Sequence, residues 1–144
     1  MNRIAYELDF YGWANEQAAL LREGRLAEAD IANIAEEIES MGRSEKRELV
    51  NRLAVLLTHL LKWRYQPGHR SGSWTASVRV QRQRLVRHLD DNPSLRPLLP
   101  GALDDAYADA RIVAADETGL TEAAFPSSSP WSFDEIMNPD FWPE

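Results

Sequence analysis

The chain has 144 residues, a formal net charge of −7 and no cysteine. This length fits one domain with a substantial core, and the lack of cysteine excludes disulfides, thiolate metal sites and cysteine nucleophiles. The longest apolar run, Leu53–Leu57, is far shorter than the roughly 20 residues that span a bilayer, and the N-terminal residues contain no apolar stretch of a signal peptide. We therefore expect a cytoplasmic protein with no membrane partner.

The first two predicted helices end at glycines. Asp9 is a suitable N-cap for the first helix, and Gly24 is a suitable C′ residue. The first helix carries a stripe at helical spacing: Phe10, Trp13, Gln17, Leu20 and Leu21. The second helix runs from about Leu26 to Met41 and is expected to stop at Gly42. Its predicted inner face is Ala27, Ile31, Ile34, Ile38 and Met41.

The third and fourth predicted helices flank a polar turn at residues 66–73. Ser44 caps the third helix, which runs to about Tyr65 and ends before Pro67. Its apolar residues fall within about 120° of arc: Leu49, Leu53, Leu56, Leu57, Leu60 and Trp63. Ser73 caps the fourth helix, which ends at Asn92. Its inner face is Trp74, Val78, Leu85 and Leu89.

The last part of the chain contains a fifth helix and an arm of different composition. The fifth helix runs from about Leu98 to Glu117 and ends at Gly119. No segment alternates with a period of two residues, so we expect no sheet. The sequence therefore predicts an all-α, single-domain bundle of about five helices over residues 6–119, followed by a C-terminal arm over residues 120–144.

The C-terminal arm holds four of the eight prolines and two of the five tryptophans. Ser132 and Glu135 have the spacing of a capping box, which predicts one helical turn at residues 132–137. Phe141 and Trp142 are too apolar to remain free in water. We therefore expect the arm to lie across the bundle.

Charge is segregated along the chain. Residues 43–96 contain 12 basic and 4 acidic residues, a net charge of +8, whereas residues 1–42 and 97–144 carry −6 and −9. The 41 residues between Glu48 and Asp90 contain no acid, eight basic residues and all three histidines. This pattern indicates either an anionic partner or internal charge pairing.

If the basic stretch binds a partner, that partner is an acidic protein or a nucleic acid. The candidate binding residues are the basic and aromatic side chains around the third and fourth predicted helices: Arg52, His59, Lys62, Trp63, Arg64, Tyr65, His69, Arg70, Trp74 and Arg79. The competing interpretation is that these cations pair with the acidic second and fifth helices.

Several strings resemble one protein family. They include Asp9-Phe10-Tyr11, Glu36-Glu37-Ile38-Glu39-Ser40-Met41-Gly42-Arg43-Ser44-Glu45, His59-Leu60-Leu61-Lys62-Trp63, Pro93-Ser94-Leu95-Arg96-Pro97 and Asp140-Phe141. Together they are similar to the bacterial domain-of-unknown-function family 29 over nearly the whole chain. The resemblance implies an all-helical fold. It implies no activity, because the family has no established function and no catalytic residues to carry over.

The sequence contains no complete catalytic or metal-binding set. No histidine has another histidine at i+3 or i+4, so we expect neither a metal nor a cofactor. Glu36 and Glu39 share a helix face, but a second acidic pair is available only from Asp105 and Asp109. A non-enzymatic interaction protein is therefore favoured. The alternative is a small helical hydrolase or nuclease, with or without a bound metal, that uses His59 or His69 with Arg64 and Arg70.

Overall fold

The computed structural model describes residues 3–144, and no strand occurs among them. The α-helices are α1 Phe10–Arg22, α2 Ile31–Tyr65, α3 Gly72–Asp91, α4 Leu99–Thr118 and α5 Phe133–Met137. Short 3-10 helices occur at Leu26–Glu28, Pro67–His69, Pro93–Leu98 and Glu122–Ala124. The predicted all-α fold is confirmed. None of the helices in the described part of the chain combines the length and apolarity needed to cross a membrane.

The chain divides into two compact units, Met1–Ser44 and Glu45–Glu144, with the division inside α2. The expectation of one domain across the whole chain stays a prediction.

In the first unit, α1 is joined to the start of α2 by hydrogen bonds to Asp30. The Asp9 carboxylate accepts from the backbone N–H of Gly12 and caps α1, as predicted. Trp13 is buried, and its Nε1 donates to Asp30 Oδ2 at 3.0 Å. Gln17 Oε1 accepts from the backbone N–H of Asp30 at 2.7 Å. Hydrogen bonds from Asn33 and Trp13 lower the pKa of Asp30. One carboxylate therefore both holds the buried tryptophan and occupies the start of α2.

The predicted inner face of the second helix is wrong for four of its five residues, which are exposed: Ala27, Ile31, Ile38 and Met41. The half-buried side of α2 in this unit instead carries Asn33, Ile34, Glu37 and Ser40. Polar side chains are half-buried on this side of α2 because they have specific hydrogen-bond partners. The Tyr6 hydroxyl, for example, donates to Glu37. Phe10 and Leu21, from the predicted stripe of the first helix, are exposed as well.

The predicted boundary at Gly42 and Ser44 is also wrong, because α2 continues through both residues to Tyr65. Gly42 does not have the positive φ of a helix-ending glycine, unlike Gly24 and Gly119. A glycine inside a helix costs only about 1 kcal/mol relative to alanine. The strong helix formers that follow at residues 45–48 therefore extend the helix past it.

Changing Gly42 to alanine is expected to raise the free energy of unfolding by about 0.5–1 kcal/mol, because a Cβ at this position meets no atom within 4 Å and alanine favours the helix. The matched control is Gly119→Ala, which should destabilise because Gly119 has a φ of 76°. Denaturant titration measures both variants. Destabilisation by Gly42→Ala would contradict a continuous α2.

The second unit has a core formed by α2, α3 and α4. The predicted stripe on α2 is confirmed for Leu49, Leu53, Leu56, Leu57 and Leu60, which are fully buried, while Trp63 is only half-buried. Val78, Leu85 and Leu89 of α3 are buried as predicted. The residues of α4 in this core are mainly alanines at i, i+4 spacing: Ala102, Ala106, Ala110 and Ala114. Such small side chains allow helix backbones to approach closely.

Two helix ends in this unit differ in how well they were predicted. The N-cap of α3 is Ser71, not the predicted Ser73, and its side chain accepts from the backbone N–H of Trp74. Either serine satisfies the local preference for an N-cap residue, so the local sequence does not decide between them. The point at which the chain reverses after Pro67 determines which serine begins the helix. Gly119 ends α4 in the left-handed conformation, as predicted.

The C-terminal arm packs on the core of the second unit. Phe125, Trp131 and Ile136 are buried, and Phe141 and Trp142 are half-buried against the core. The predicted capping box is present, with Ser132 and Glu135 hydrogen-bonded reciprocally. The hydroxyl of Tyr107 donates to Pro126 O at 2.7 Å, and burial raises the pKa of this tyrosine to about 12. The expectation that the arm lies across the bundle is therefore confirmed within this unit.

Candidate functional site

Cations and tryptophans meet where α2 ends and α3 begins. Trp63 lies in the last turn of α2, and its ring centroid is 4.6 Å from that of Trp142 in the arm. The 3-10 turn at Pro67–His69 returns the chain so that Arg70 Nε donates to Trp63 O at 2.8 Å. The Arg70 guanidinium also lies 4.8 Å from the centroid of the Trp63 ring. Two tryptophans and an arginine therefore form one packed layer.

Three of the predicted binding cations already have partners in the second unit. Lys62 Nζ is 2.9 Å from Glu117 of α4 and lies 4.9 Å from the centroid of the Trp74 ring. Arg52 is paired with Glu48, four residues earlier on the same helix, at 2.6 Å. Of these contacts, only the Lys62–Glu117 pair is of the kind that the competing interpretation predicts, because Arg52 pairs within its own helix and Arg70 contacts the carbonyl and ring of Trp63.

The remaining predicted residues at this end do not converge on one site. The Nδ1–H group of His59 donates to Val55 O at 2.9 Å, one turn earlier. His69 is exposed in the turn after α2. The exposed Arg64 lies 5.4 Å from the centroid of the Tyr65 ring. Tyr65 in turn packs edge-to-face on Phe125, with centroids 5.0 Å apart.

The second unit contains a groove of about 690 Å³ between α3 and the C-terminal arm. Of the ten predicted binding residues, Arg79 alone is in its lining. The other lining residues are mostly apolar: Ala76, Val80, Arg82, Gln83, Val86, Met137, Pro139 and Trp142. Val80 and Val86 are exposed on α3 among its arginines. These two valines were the signal in the sequence that could have indicated the groove.

Arg82 attaches the arm that forms one wall of the groove. Only 6% of this residue is exposed. Its Nε donates to Ile136 O at 2.7 Å, and its two terminal nitrogens donate to Phe141 O at 2.8 Å and Pro139 O at 3.4 Å. Its guanidinium lies 5.3 Å from the centroid of the Trp142 ring. Burial lowers the pKa of Arg82, which stays charged because arginine titrates far above neutral pH. Arg82 therefore has a positioning role.

Three other arginines of α3 remain free of protein partners. Arg79, Arg84 and Arg87 are exposed, and none of them makes an ion pair or side-chain hydrogen bond among residues 3–144. Arg84 and Arg87 lie one helical turn beyond the groove residues Val80 and Gln83. These three arginines therefore place uncompensated positive charge on the exposed side of α3.

The fold and the groove define a small all-α protein whose candidate site is an apolar, arginine-flanked groove between a helix and a C-terminal arm. The chain belongs to the family described as domain of unknown function DUF29, whose model matches residues 5–142. This match confirms the resemblance found in the sequence. No curated protein and no solved structure significantly matches the chain.

Proposed function

We propose that this protein is a non-enzymatic interaction protein, and that an acidic, partly apolar segment of another protein binds in the groove between α3 and the C-terminal arm. The observation that carries this proposal is the combination of an apolar lining with the three free arginines Arg79, Arg84 and Arg87. A volume of about 690 Å³ lies within the range of ligand-binding clefts.

The observations favour a protein partner over a nucleic acid. The chain as a whole carries a net charge of −7, which opposes the approach of a long polyanion. Base stacking needs free aromatic faces, but Trp63 packs on Trp142 and Trp74 lies beneath Lys62. An apolar lining suits aliphatic and aromatic side chains better than phosphates.

The two parts of the groove would contribute differently to binding. The free arginines would steer an acidic segment toward α3 and select against basic ones. The apolar lining would supply affinity by burying side chains of the partner. We place this interaction in the cytoplasm, which the cysteine-free composition supports.

A hydrolase or nuclease that uses His59 and His69 is the alternative function. It would need both imidazoles to open on one cavity together with a carboxylate or metal. The lining of the groove includes neither histidine, and His59 is engaged with the backbone of its own helix. These two observations support the interaction proposal over the alternative.

A photoreactive amino acid placed at Val80 in cells is expected to cross-link a partner protein, because Val80 lines the groove and is 39% exposed. The matched control position is Val55 of α2, which is also 39% exposed but is not part of the groove. Cross-linked products are identified by mass spectrometry. We expect a product at Val80 that is absent at Val55 and that maps to an acidic segment.

Charge reversal tests whether the arginines select the partner. The double variant Arg79→Glu with Arg87→Glu should remove the cross-link. The control double variant, Arg22→Glu with Arg47→Glu, reverses two exposed arginines outside the groove and should retain the cross-link. A synthetic peptide of the captured segment should lose affinity as salt rises. A cross-link to nucleic acid or to a basic segment, or one that survives the first double change, would contradict the proposal. A product at twice the mass of the chain would identify the partner as a second copy.

A further inference from the structure

Glu45, Glu48 and His88 bring one nitrogen and two oxygen ligands together in the second unit. Glu45 and Glu48 lie three residues apart on one face of α2, and His88 faces them from α3. His88 Nδ1 is 3.6 Å from Glu45 Oε2 and 3.4 Å from Glu48 Oε2. One ligand atom from each residue lies within 4.8 Å of the other two. No local pattern in the sequence indicates this site, because 40 residues separate the histidine from the nearer glutamate.

The hydrogen bonding of His88 directs a lone pair at the two carboxylates. Only 7% of this residue is exposed, and its Nε2 is 2.8 Å from Glu45 O. A carbonyl oxygen only accepts, so Nε2 carries the proton and a neutral His88 has its lone pair on Nδ1. Nδ1 has no hydrogen-bond partner within residues 3–144, because neither carboxylate contact has hydrogen-bond geometry. A lone pair that faces two carboxylates is electrostatically unfavourable, and a cation between them or a proton on Nδ1 relieves this repulsion.

The distances favour a metal ion over a proton. Charge-assisted hydrogen bonds between nitrogen and a carboxylate are about 2.7–2.9 Å long. Two ligands of one tetrahedral ion, each about 2.0–2.2 Å from it, lie about 3.3–3.6 Å apart. The contacts of Nδ1 at 3.4 and 3.6 Å match the spacing between two ligands of one ion. A histidine that donates its other ring N–H to a backbone carbonyl is the usual arrangement of a metal ligand.

Arg52 supports this arrangement from outside the ligand set. Its Nε and terminal nitrogen donate to Glu48 Oε1 at 3.0 and 2.6 Å, which leaves Oε2 directed toward His88. These hydrogen bonds also lower the pKa of Glu48 and keep it ionised. With His88 neutral, the two carboxylates and Arg52 have a net charge of −1, so a divalent cation is electrostatically favoured.

We propose that Glu45, Glu48 and His88 bind one divalent transition-metal ion. Imidazole with carboxylates suits Zn²⁺ and its first-row neighbours better than Ca²⁺ or Mg²⁺, which prefer oxygen ligands alone. The side chains of Glu45 and Glu48 are 48% and 41% exposed, so an ion reaches the site from solvent and retains water in its open positions. This inference is independent of the proposed partner groove.

Titration of the chelator-treated protein with Zn²⁺ by isothermal calorimetry tests the proposal. We expect one ion per chain and a loss of affinity of more than about tenfold in Glu45→Gln. The Glu45 side chain has no hydrogen-bond partner among residues 3–144 and only His88 as an ionic contact, so this variant should fold normally. His88→Gln is the second variant, and thermal melting checks that it is folded.

The matched control is Glu36→Gln with Glu39→Gln, an acidic pair at the same spacing on α2 that is paired with Arg43. This variant should bind Zn²⁺ within about twofold of the wild type. The absorption spectrum of the protein loaded with Co²⁺ in place of Zn²⁺ should indicate nitrogen and oxygen ligands. This spectrum should be lost in Glu45→Gln. Equal affinity in the wild type and Glu45→Gln, or no saturable binding by the wild type, would overturn the proposal and leave His88 as a protonated partner of the two glutamates.

Discussion

Replacing Leu56 with alanine is expected to lower the free energy of unfolding by about 2–5 kcal/mol, the usual range for a large aliphatic side chain removed from a packed core. Leu56 is fully buried in the core of the second unit. The substitution loses the transfer free energy of its side chain and leaves a cavity. Urea titration followed by circular dichroism measures the loss.

The control for Leu56 is its neighbour on the same helix. Val55 is 39% exposed, so Val55→Ala should change the free energy of unfolding by no more than about 0.5 kcal/mol. A Leu56→Ala loss below about 1 kcal/mol would show that α2 does not present this side to the core.

Arg82→Ala is expected to cost about 3–5 kcal/mol, because it removes a buried charged group together with its hydrogen bonds. The substitution leaves the carbonyl groups of Ile136 and Phe141 without their donor. Alanine also loses the cation–π contact with Trp142. Besides the lower stability, the arm should become accessible to protease, which limited proteolysis with mass spectrometry detects.

Two further variants separate the roles of Arg82. Arg79→Ala removes an exposed arginine three residues away and should change stability by no more than about 0.5 kcal/mol. Arg82→Lys retains the charge but not the planar fork that reaches several carbonyls, so it should recover only part of the loss. If Arg82→Ala melts like the wild type and its arm resists protease, then the arm is held by its apolar contacts alone.

Much of the helical structure follows from local signals. The leucine stripe from Leu49 to Leu60 predicts the buried side of α2, because a period of 3.6 residues places these side chains on one side of any helix that contains them. Gly119 and the Ser132–Glu135 capping box predict helix ends for a similar reason. Their effects act within a turn or two of the backbone and need no distant partner.

Gly42 and the isoleucines of the first unit show where local signals fail. Glycine is compatible with both a helix end and a helix interior, because it costs a helix interior only about 1 kcal/mol relative to alanine. The same periodicity that identifies the core stripe also selects Ile31 and Ile38, which are exposed. Which side of a helix is buried depends on the neighbour that packs there.

The sequence by itself determined the helical class, the family, the main core stripe and the concentration of positive charge in residues 43–96. Only the tertiary structure decided which cations remain free. Lys62 meets Glu117 across 55 positions of the chain, Arg82 meets the carbonyl of Phe141 across 59, and His88 meets Glu45 across 43. The physical reason is that helix formation depends on near neighbours, whereas pairing and desolvation of charges depend on atoms that folding alone brings within a few ångströms.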